Sequence, residues 1–196
     1  MPPAPQIILA STSVHRRQLL ERLHLPFTAL APRVDETELA GEAPATRAAR
    51  LALAKARTVA ADHPDVIVIG SDQVASLRIG PDMALLHKPG DRTQTHAQLA
   101  AMAGRTVRFD TGVAVIHAAT ELTHVDLTAV RIRPLTHLEI GHYIDREPAF
   151  DCAGGFKCEG LGVSLFESLE THDPTALVGL PLIWLCAALR QFGVAV

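Results

Sequence analysis

An apolar run from Gln6 to Ala10 ends in the small polar residues Ser11, Thr12 and Ser13, and Leu19, Leu20 and Leu23 follow at helical spacing. This pattern predicts strand, polar turn and helix. Pro26 to Pro32 predicts a second strand, after which Val34-Asp35-Glu36-Thr37 opens an acidic loop. From Ala45 to Ala61, just after Pro44, an alanine-rich stretch carries Arg47, Arg50, Lys55 and Arg57, the pattern of a helix with one packed face. Val66 to Gly70 is continuously apolar, as a strand buried on both faces should be, and Ser71-Asp72-Gln73 stands at its predicted carboxyl end.

Farther on, Leu77 to Lys88 holds Gly80-Pro81-Asp82 between apolar flanks and predicts a hairpin. Asp91 to Met102 predicts a helix, Thr106 to His117 and Val125 to Ile132 predict antiparallel strands, and Thr136 to Arg146 returns to helical spacing through Leu138, Ile140 and Tyr143. The glycine-rich stretch Cys152-Ala153-Gly154-Gly155-Phe156-Lys157-Cys158-Glu159-Gly160 precedes a predicted strand at Gly162 to Glu167 and a final buried helix over Ala176 to Leu189. That last segment contains Gly179 and Pro181 and is shorter than the ~20 residues of a bilayer span. Repeats, low-complexity tracts and long linkers are absent, so the expectation is one α/β domain over residues 1–196, with a mixed sheet and two lobes around a cleft.

Composition narrows the function. A chain of 196 residues, 48% hydrophobic and 20% charged, can bury a core without disulfides or a structural metal. Cys152, Cys158 and Cys186 are an odd number, and the C-x5-C spacing of the first two fits neither a zinc knuckle nor a redox motif, so reduced thiols are expected. The formal net charge of −3 argues against a nucleic-acid partner, and any anionic ligand must meet a local cluster of cations. Met1 to Gln6 lacks the basic and long apolar regions of a signal peptide, which leads to the expectation of a cytoplasmic protein without a membrane partner.

The informative polar residues are those expected at strand ends, where open α/β sheets present ligands. Ser11-Thr12-Ser13 with Arg16 and Arg17 one turn later would suit a phosphate, or would be a helix cap with two solvated arginines. Asp72 can be a metal ligand, a general base or a turn residue, and Glu36 faces the same choice; the two carboxylates could share one Mg²⁺. Lys55 and Lys88 can act as point charges for phosphate. Neither H-E-x-x-H among the ten histidines nor G-x-x-x-x-G-K-[ST] occurs, which leaves a zinc protease or deaminase without support and disfavours a P-loop enzyme.

Taken in order, Ile8-Leu9-Ala10-Ser11-Thr12-Ser13 with Arg16-Arg17, Val34-Asp35-Glu36-Thr37, Arg50-Leu51-Ala52 with Lys55-Ala56, Gly70-Ser71-Asp72-Gln73-Val74 and Lys88-Pro89 resemble the motifs of the Maf family. Phe109-Asp110-Thr111-Gly112, Cys152-Ala153-Gly154-Gly155-Phe156 and Asp173-Pro174 with Val178-Gly179-Leu180-Pro181 continue the likeness, which runs from about Ile7 to about Leu189. The resemblance implies an ITPase-like elongated α/β fold, a divalent cation (Mg²⁺ or Mn²⁺), a homodimer, and hydrolysis of a nucleoside triphosphate to its monophosphate and pyrophosphate. Within the family, Ser71-Asp72-Gln73-Val74 and Phe156 to Gly162 resemble the branch acting on 7-methyl-GTP; branches acting on dTTP and UTP carry Asp-Thr where Asp72-Gln73 stands.

By the same resemblance Asp72 is the proton acceptor, while His15, Gln73 and Glu159 bear on which base is accepted. For pyrophosphate release we assign Arg16, Lys55 and Lys88 to the phosphates, Ser11 and Ser13 to the turn or the phosphate, and Glu36 and Asp72 to the metal, with the division of base and ligand between those two left open. Where the 7-methyl-GTP branch often has Trp this chain has His15, a smaller aromatic face for a cationic base. A non-catalytic nucleotide sensor regulating division is the rival reading, and the presence of a base and two lysines disfavours it.

Overall fold

The computed structural model describes residues 6–196, which form a mixed α/β structure: a seven-stranded sheet flanked by helices. In chain order the elements are β1 (Ile7–Ala10), α1 (Val14–Glu21), β2 (Thr28–Leu30), α2 (Pro44–Ala60), β3 (Ile67–Ile79), β4 (Asp82–Leu86), α3 (Arg92–Met102), β5 (Thr106–His117), β6 (Thr120–Ile132), α4 (His137–Arg146), β7 (Phe166–Thr171) and α5 (Leu182–Gln191). Short 3-10 turns occupy Ala153–Gly155, Leu161–Leu165 and Ala176–Val178. The sheet order is β2-β1-β3-β5-β6-β7, with β4 paired to β3. The chain divides into two compact units and passes between them four times: the first holds the residues up to Gln73, Asp110–Asp126 and Asp173–Val196, the second Val74–Phe109 and Leu127–His172.

In the first unit β1 pairs in parallel with β2 on one side and with β3 on the other, so that Ala10 lies opposite Gly70. Side chains alternate across these strands, and both faces are buried. Ile7, Leu9, Ile67, Ile69, Val113 and Val115 join Leu19 and Leu20 of α1 and Leu182, Leu185 and Leu189 of α5 in one core. Ile8, Ala10, Val68, Ala114 and Ile116 join Ala52, Ala56 and Val59 of α2 in the other. Each fully buried aliphatic side chain there contributes about 1.5–3 kcal/mol, which explains why these runs read as unbroken apolar stretches.

Helix α2 lies unusually close to the sheet. A Cβ at Gly70 would overlap the Ala52 carbonyl oxygen and stand 2.7 Å from Ala56 N, and one at Gly112 would overlap the Ala48 carbonyl and stand 2.9 Å from Ala49 N. The alanine face of α2 and these two glycines thus fix helix and strands backbone to backbone. Pro44 at the first helical position starts α2, where a missing N–H costs nothing.

In the second unit β4 turns back antiparallel on Ala75–Ile79 of β3, and β7 pairs antiparallel with β6. Helices α3 and α4 pack on each other. Thr136 and Glu139 close a reciprocal capping box at the start of α4: Thr136 Oγ1 accepts from Glu139 N at 3.3 Å, and Glu139 Oε2 accepts from Thr136 N at 2.8 Å. Phe156 makes edge contacts with Phe109 and Phe166, with ring centroids 5.6 and 5.1 Å away.

Besides a β6 that starts at Thr120 instead of Val125 and a β2 shortened to Thr28–Leu30, three elements differ from the sequence-based expectation. The strand expected to stop at Gly70 runs on to Ile79, because β3 leaves β1 there and gains β4, so Ser71-Asp72-Gln73 lies within a strand. The strand expected at Gly162 to Glu167 begins only at Phe166, since Leu161–Leu165 coils into a 3-10 turn. The helix expected over Ala176 to Leu189 is broken: Gly179 takes φ +119°, a left-handed value, and α5 starts after Pro181. Asp173 then caps α5, accepting from Ile183 N at 2.7 Å, while Thr175 Oγ1 accepts from Leu182 N at 2.8 Å.

Candidate active site

The polar residues of the first unit converge where β3 runs past the carboxyl end of β1. Ser11 follows β1 directly, and its hydroxyl accepts from Ser13 N at 3.1 Å. Ser13 is the N-cap of α1, its hydroxyl accepting from Arg16 N at 3.4 Å. Both serines therefore hold the turn that aims the first turn of α1, including half-buried His15 and Arg16, beyond the strand end. Arg16 Nε donates to the Gly179 carbonyl at 2.9 Å. Burial pushes the Arg16 guanidinium below its usual pKa, while Asp72 first and Glu36 second draw it back up; it remains a cation facing two carboxylates.

Alternation along β3 sorts the next residues. Val68, Gly70 and Asp72 face α2, whereas Ile67, Ile69, Ser71 and Gln73 face the other way. Close approach of α2 at Gly70 brings Lys55 onto the same face one turn from Ala52. Lys55 Nζ donates to Asp72 Oδ1 at 2.6 Å and lies 2.8 Å from Glu36 Oε1. Lys55 and Asp72 are each 8% exposed, and the Glu36 side chain is 55% exposed. A charge so deeply placed is costly unless it is paired, and the two carboxylates supply the pairing.

The acidic loop reaches this point because α2 holds it. Arg47 donates to the Glu36 carbonyl at 3.0 Å and pairs with Glu38 at 3.0 Å. Arg50 grips Glu42 through two bonds of 2.6 and 2.7 Å and touches the Thr37 carbonyl at 3.3 Å. Asp35 closes the turn, accepting from Thr37 N at 2.9 Å and from its hydroxyl at 2.6 Å, and these two bonds hold its carboxyl below the usual aspartate range. Arg47 and Arg50 are site-building residues that helix pattern alone marks only as a polar face; their i, i+3 spacing opposite a run of acidic residues is the signal that could have found them.

On the opposite face, Ser71 Oγ lies 2.8 Å from the carbonyls of both Gly112 and Gly179. Gln73 Nε2 lies 3.0 Å from Thr111 Oγ1 and from the carbonyls of Ala176 and Leu177, so its two N–H groups meet three acceptors. Of the residues singled out in the sequence, the structure gathers Ser11, Ser13, Arg16, Glu36, Lys55 and Asp72, and turns Gln73 to the other side of the sheet.

Lys88 and Glu159 belong to the second unit. Lys88 is exposed just after β4, and exposed Glu159 accepts from the Cys158 thiol at 3.4 Å. The glycine-rich segment is held by α4: Tyr143 Oη accepts from Lys157 N at 3.2 Å, and Glu147 Oε2 accepts from Gly162 N at 3.1 Å. These two residues, one helical turn apart, are the loop's braces, and burial pushes the Tyr143 phenol well above its usual pKa. Among the described residues no helix is long and apolar enough to cross a membrane.

Comparison with known proteins extends the picture. The model of the family described as Maf-like protein matches residues 6–192. A protein named 7-methyl-GTP pyrophosphatase from Xanthomonas oryzae pv. oryzae (strain MAFF 311018) is 57% identical over 189 residues, covering 96% of this chain and 97% of its own. One of the same name from Bordetella avium (strain 197N) is 50% identical over 190 residues, covering 96% and 94%. The solved Staphylococcus aureus Ham1 protein shares the fold, with a TM-score of 0.52 at 13% identity over 95% of this chain and 98% of that one. With the family pattern running from β1 through α5 and relatives matched over almost their whole lengths, the chain belongs to the Maf family.

Proposed function

We propose that this protein is a nucleoside triphosphate pyrophosphatase that cleaves between the α- and β-phosphates, with 7-methyl-GTP as its preferred substrate. The observation that carries the reading is the Lys55 ammonium joined to Asp72 and Glu36 beside Arg16, in a chain 57% identical to a protein named for that activity. Two cations and two carboxylates make this cluster neutral. A triphosphate brings several negative charges, so further positive charge is needed before it can bind here. Asp72 and Glu36 meet on one ammonium and offer only oxygen donors, the ligand chemistry of Mg²⁺ or Mn²⁺, so the residues fit a divalent ion. Bound by these two carboxylates, the ion would offset the charge that develops on the phosphate oxygens.

The chain's own residues do the rest. Asp72, fixed within β3, accepts the proton of the water that attacks the α-phosphorus as pyrophosphate leaves. Arg16 and Lys55 hold phosphate oxygens, and Ser11 and Ser13 keep the turn that aims Arg16. Lys88 enters as a compact point charge for phosphate, while His15 and Glu159 as base readers and the homodimer enter through the family resemblance.

Incubation with 7-methyl-GTP, GTP, dTTP and UTP in the presence of Mg²⁺, with products separated by anion exchange, tests the proposal. Pyrophosphate and 7-methyl-GMP should appear together and fastest from 7-methyl-GTP. Orthophosphate with a diphosphate, or binding without turnover, would reject it in favour of a phosphatase or a nucleotide sensor.

A further inference from the structure

Lys55 occupies an ambiguous position for a phosphate ligand, because its charge is already committed. Its ammonium has three N–H groups, and the contacts of 2.6 Å to Asp72 Oδ1 and 2.8 Å to Glu36 Oε1 take two of them. We propose that Lys55 is a resident cation of the Asp72 and Glu36 carboxylates: it competes with a divalent ion for them and is released toward the nucleotide phosphates when that ion binds. The proposal rests on the reading that Asp72 and Glu36 take a divalent ion.

The surroundings suit an exchange of this kind. The Lys55 backbone cannot move, since α2 is locked against the sheet at Gly70 and Gly112. Its four-carbon stem is free of that constraint and can swing the charge through several ångströms. Asp72 is fixed by β3, while the Glu36 backbone is tethered by Arg47 and its side chain is the most exposed of the three. Two carboxylates that both touch one nitrogen are close enough to be joined by one metal ion at ligand distances of about 2.0–2.6 Å. A divalent ion brings twice the charge of the ammonium to the same oxygens, and the two like charges repel there, which drives the lysine outward. Arg16 lies beside the carboxylates with its Nε donating to the Gly179 carbonyl.

The rival role is assembly, in which Lys55 draws the carboxylates together and metal binding depends on it. The two roles predict opposite signs. Mn²⁺ affinity is measured on the whole protein without nucleotide, from the EPR signal of the free ion, for the native chain and for Lys55→Met, Lys55→Gln, Asp72→Asn and Glu36→Gln, each checked for folding by circular dichroism. A resident cation predicts that both Lys55 variants bind Mn²⁺ roughly tenfold more tightly than the native chain, while both carboxylate variants bind more weakly. Equal or weaker binding by the Lys55 variants, with weakened carboxylate variants, would overturn the exchange and leave the metal reading standing. Native-like binding by the carboxylate variants would overturn both. Should neither Lys55 variant fold, the Lys55 ¹⁵Nζ resonance of the native chain must shift on titration with Mg²⁺, and a resonance that stays in place rejects the proposal.

Discussion

Asp72→Asn keeps the shape of the side chain and removes both its charge and its ability to accept a proton. Lys55 retains Glu36 as a partner at 2.8 Å, so the loss of stability should stay below the about 3–5 kcal/mol of a buried pair broken outright. Turnover should fall by about 10²-fold or more; a folded variant with near-native kcat would remove Asp72 from the chemistry. The neighbouring Gln73 shows what the sequence hides at this scale. Its adjacency to Asp72 suggests a shared site, yet alternation along a strand sends the two side chains to opposite faces, and that follows only if the strand continues past Gly70. Partial burial, aided by Asp151 at one and Glu159 at the other, pushes the thiols of Cys152 and Cys158 up to about 12. Both should therefore react with a disulfide reagent at pH 8 far more slowly than a cysteine in a short peptide. Peptide-like rates would show that the neighbouring carboxylates and partial burial do not hold these thiols protonated in solution.

Helix α2 is the element on which the candidate site depends, since it carries Lys55 inward and holds the acidic loop through Arg47 and Arg50. Its place is set by the backbone contacts at Gly70 and Gly112. Gly70→Ala should cost about 3 kcal/mol or more, because the methyl group meets fixed backbone and overpacking has no flexible side chain to displace. Chemical denaturation would measure it, and a loss under 1 kcal/mol would mean that α2 can yield. A second element-level expectation concerns α4. The Thr136 backbone N–H first, then Arg133 and the Thr136 hydroxyl, lower Glu139 from 4.5 to about 2. A carboxyl with a depressed pKa stabilises the fold fully above its unfolded value and loses that contribution as pH falls through its folded one. The melting temperature of the native chain should thus drop between pH 4.5 and pH 2 more steeply than that of Glu139→Gln. Parallel curves would show that the cap does not depend on this charge. The boundaries of α3, β5 and α4 were readable because they rest on local pattern and chemistry. The break between Ala176 and α5 was less so, since Gly179 and Pro181 act there through the turn closed by Asp173 and Thr175.

At the scale of the whole molecule, two sets of candidate residues lie in different units that the sequence interleaves, apart from His15 in the first unit and Lys88 in the second. The charged cluster of Arg16, Glu36, Lys55 and Asp72 belongs to the first unit, and the glycine-rich segment with Glu159 belongs to the second, where Tyr143 and Glu147 brace it. Linear motifs make membership of the family legible, but not this division, because the chain passes between the units four times. If the first set handles phosphate, which every nucleotide carries, then its loss should be blind to the base. Asp72→Asn should reduce turnover of 7-methyl-GTP and GTP by the same factor. If the second set reads the base, as the resemblance implies for Glu159, its loss should change the ratio. A 7-methylguanine is cationic and presents N–H donors that a carboxylate accepts, so Glu159→Ala should lower kcat/KM for 7-methyl-GTP about tenfold or more relative to GTP, in line with the ~1.5 kcal/mol or more of a charge-assisted bond. Glu147→Ala, which releases Gly162 without touching Glu159 itself, should move the ratio in the same direction by a smaller factor. Steady-state kinetics on both nucleotides separate the cases: a ratio unchanged in both second-unit variants would deny the glycine-rich segment any part in choosing the base.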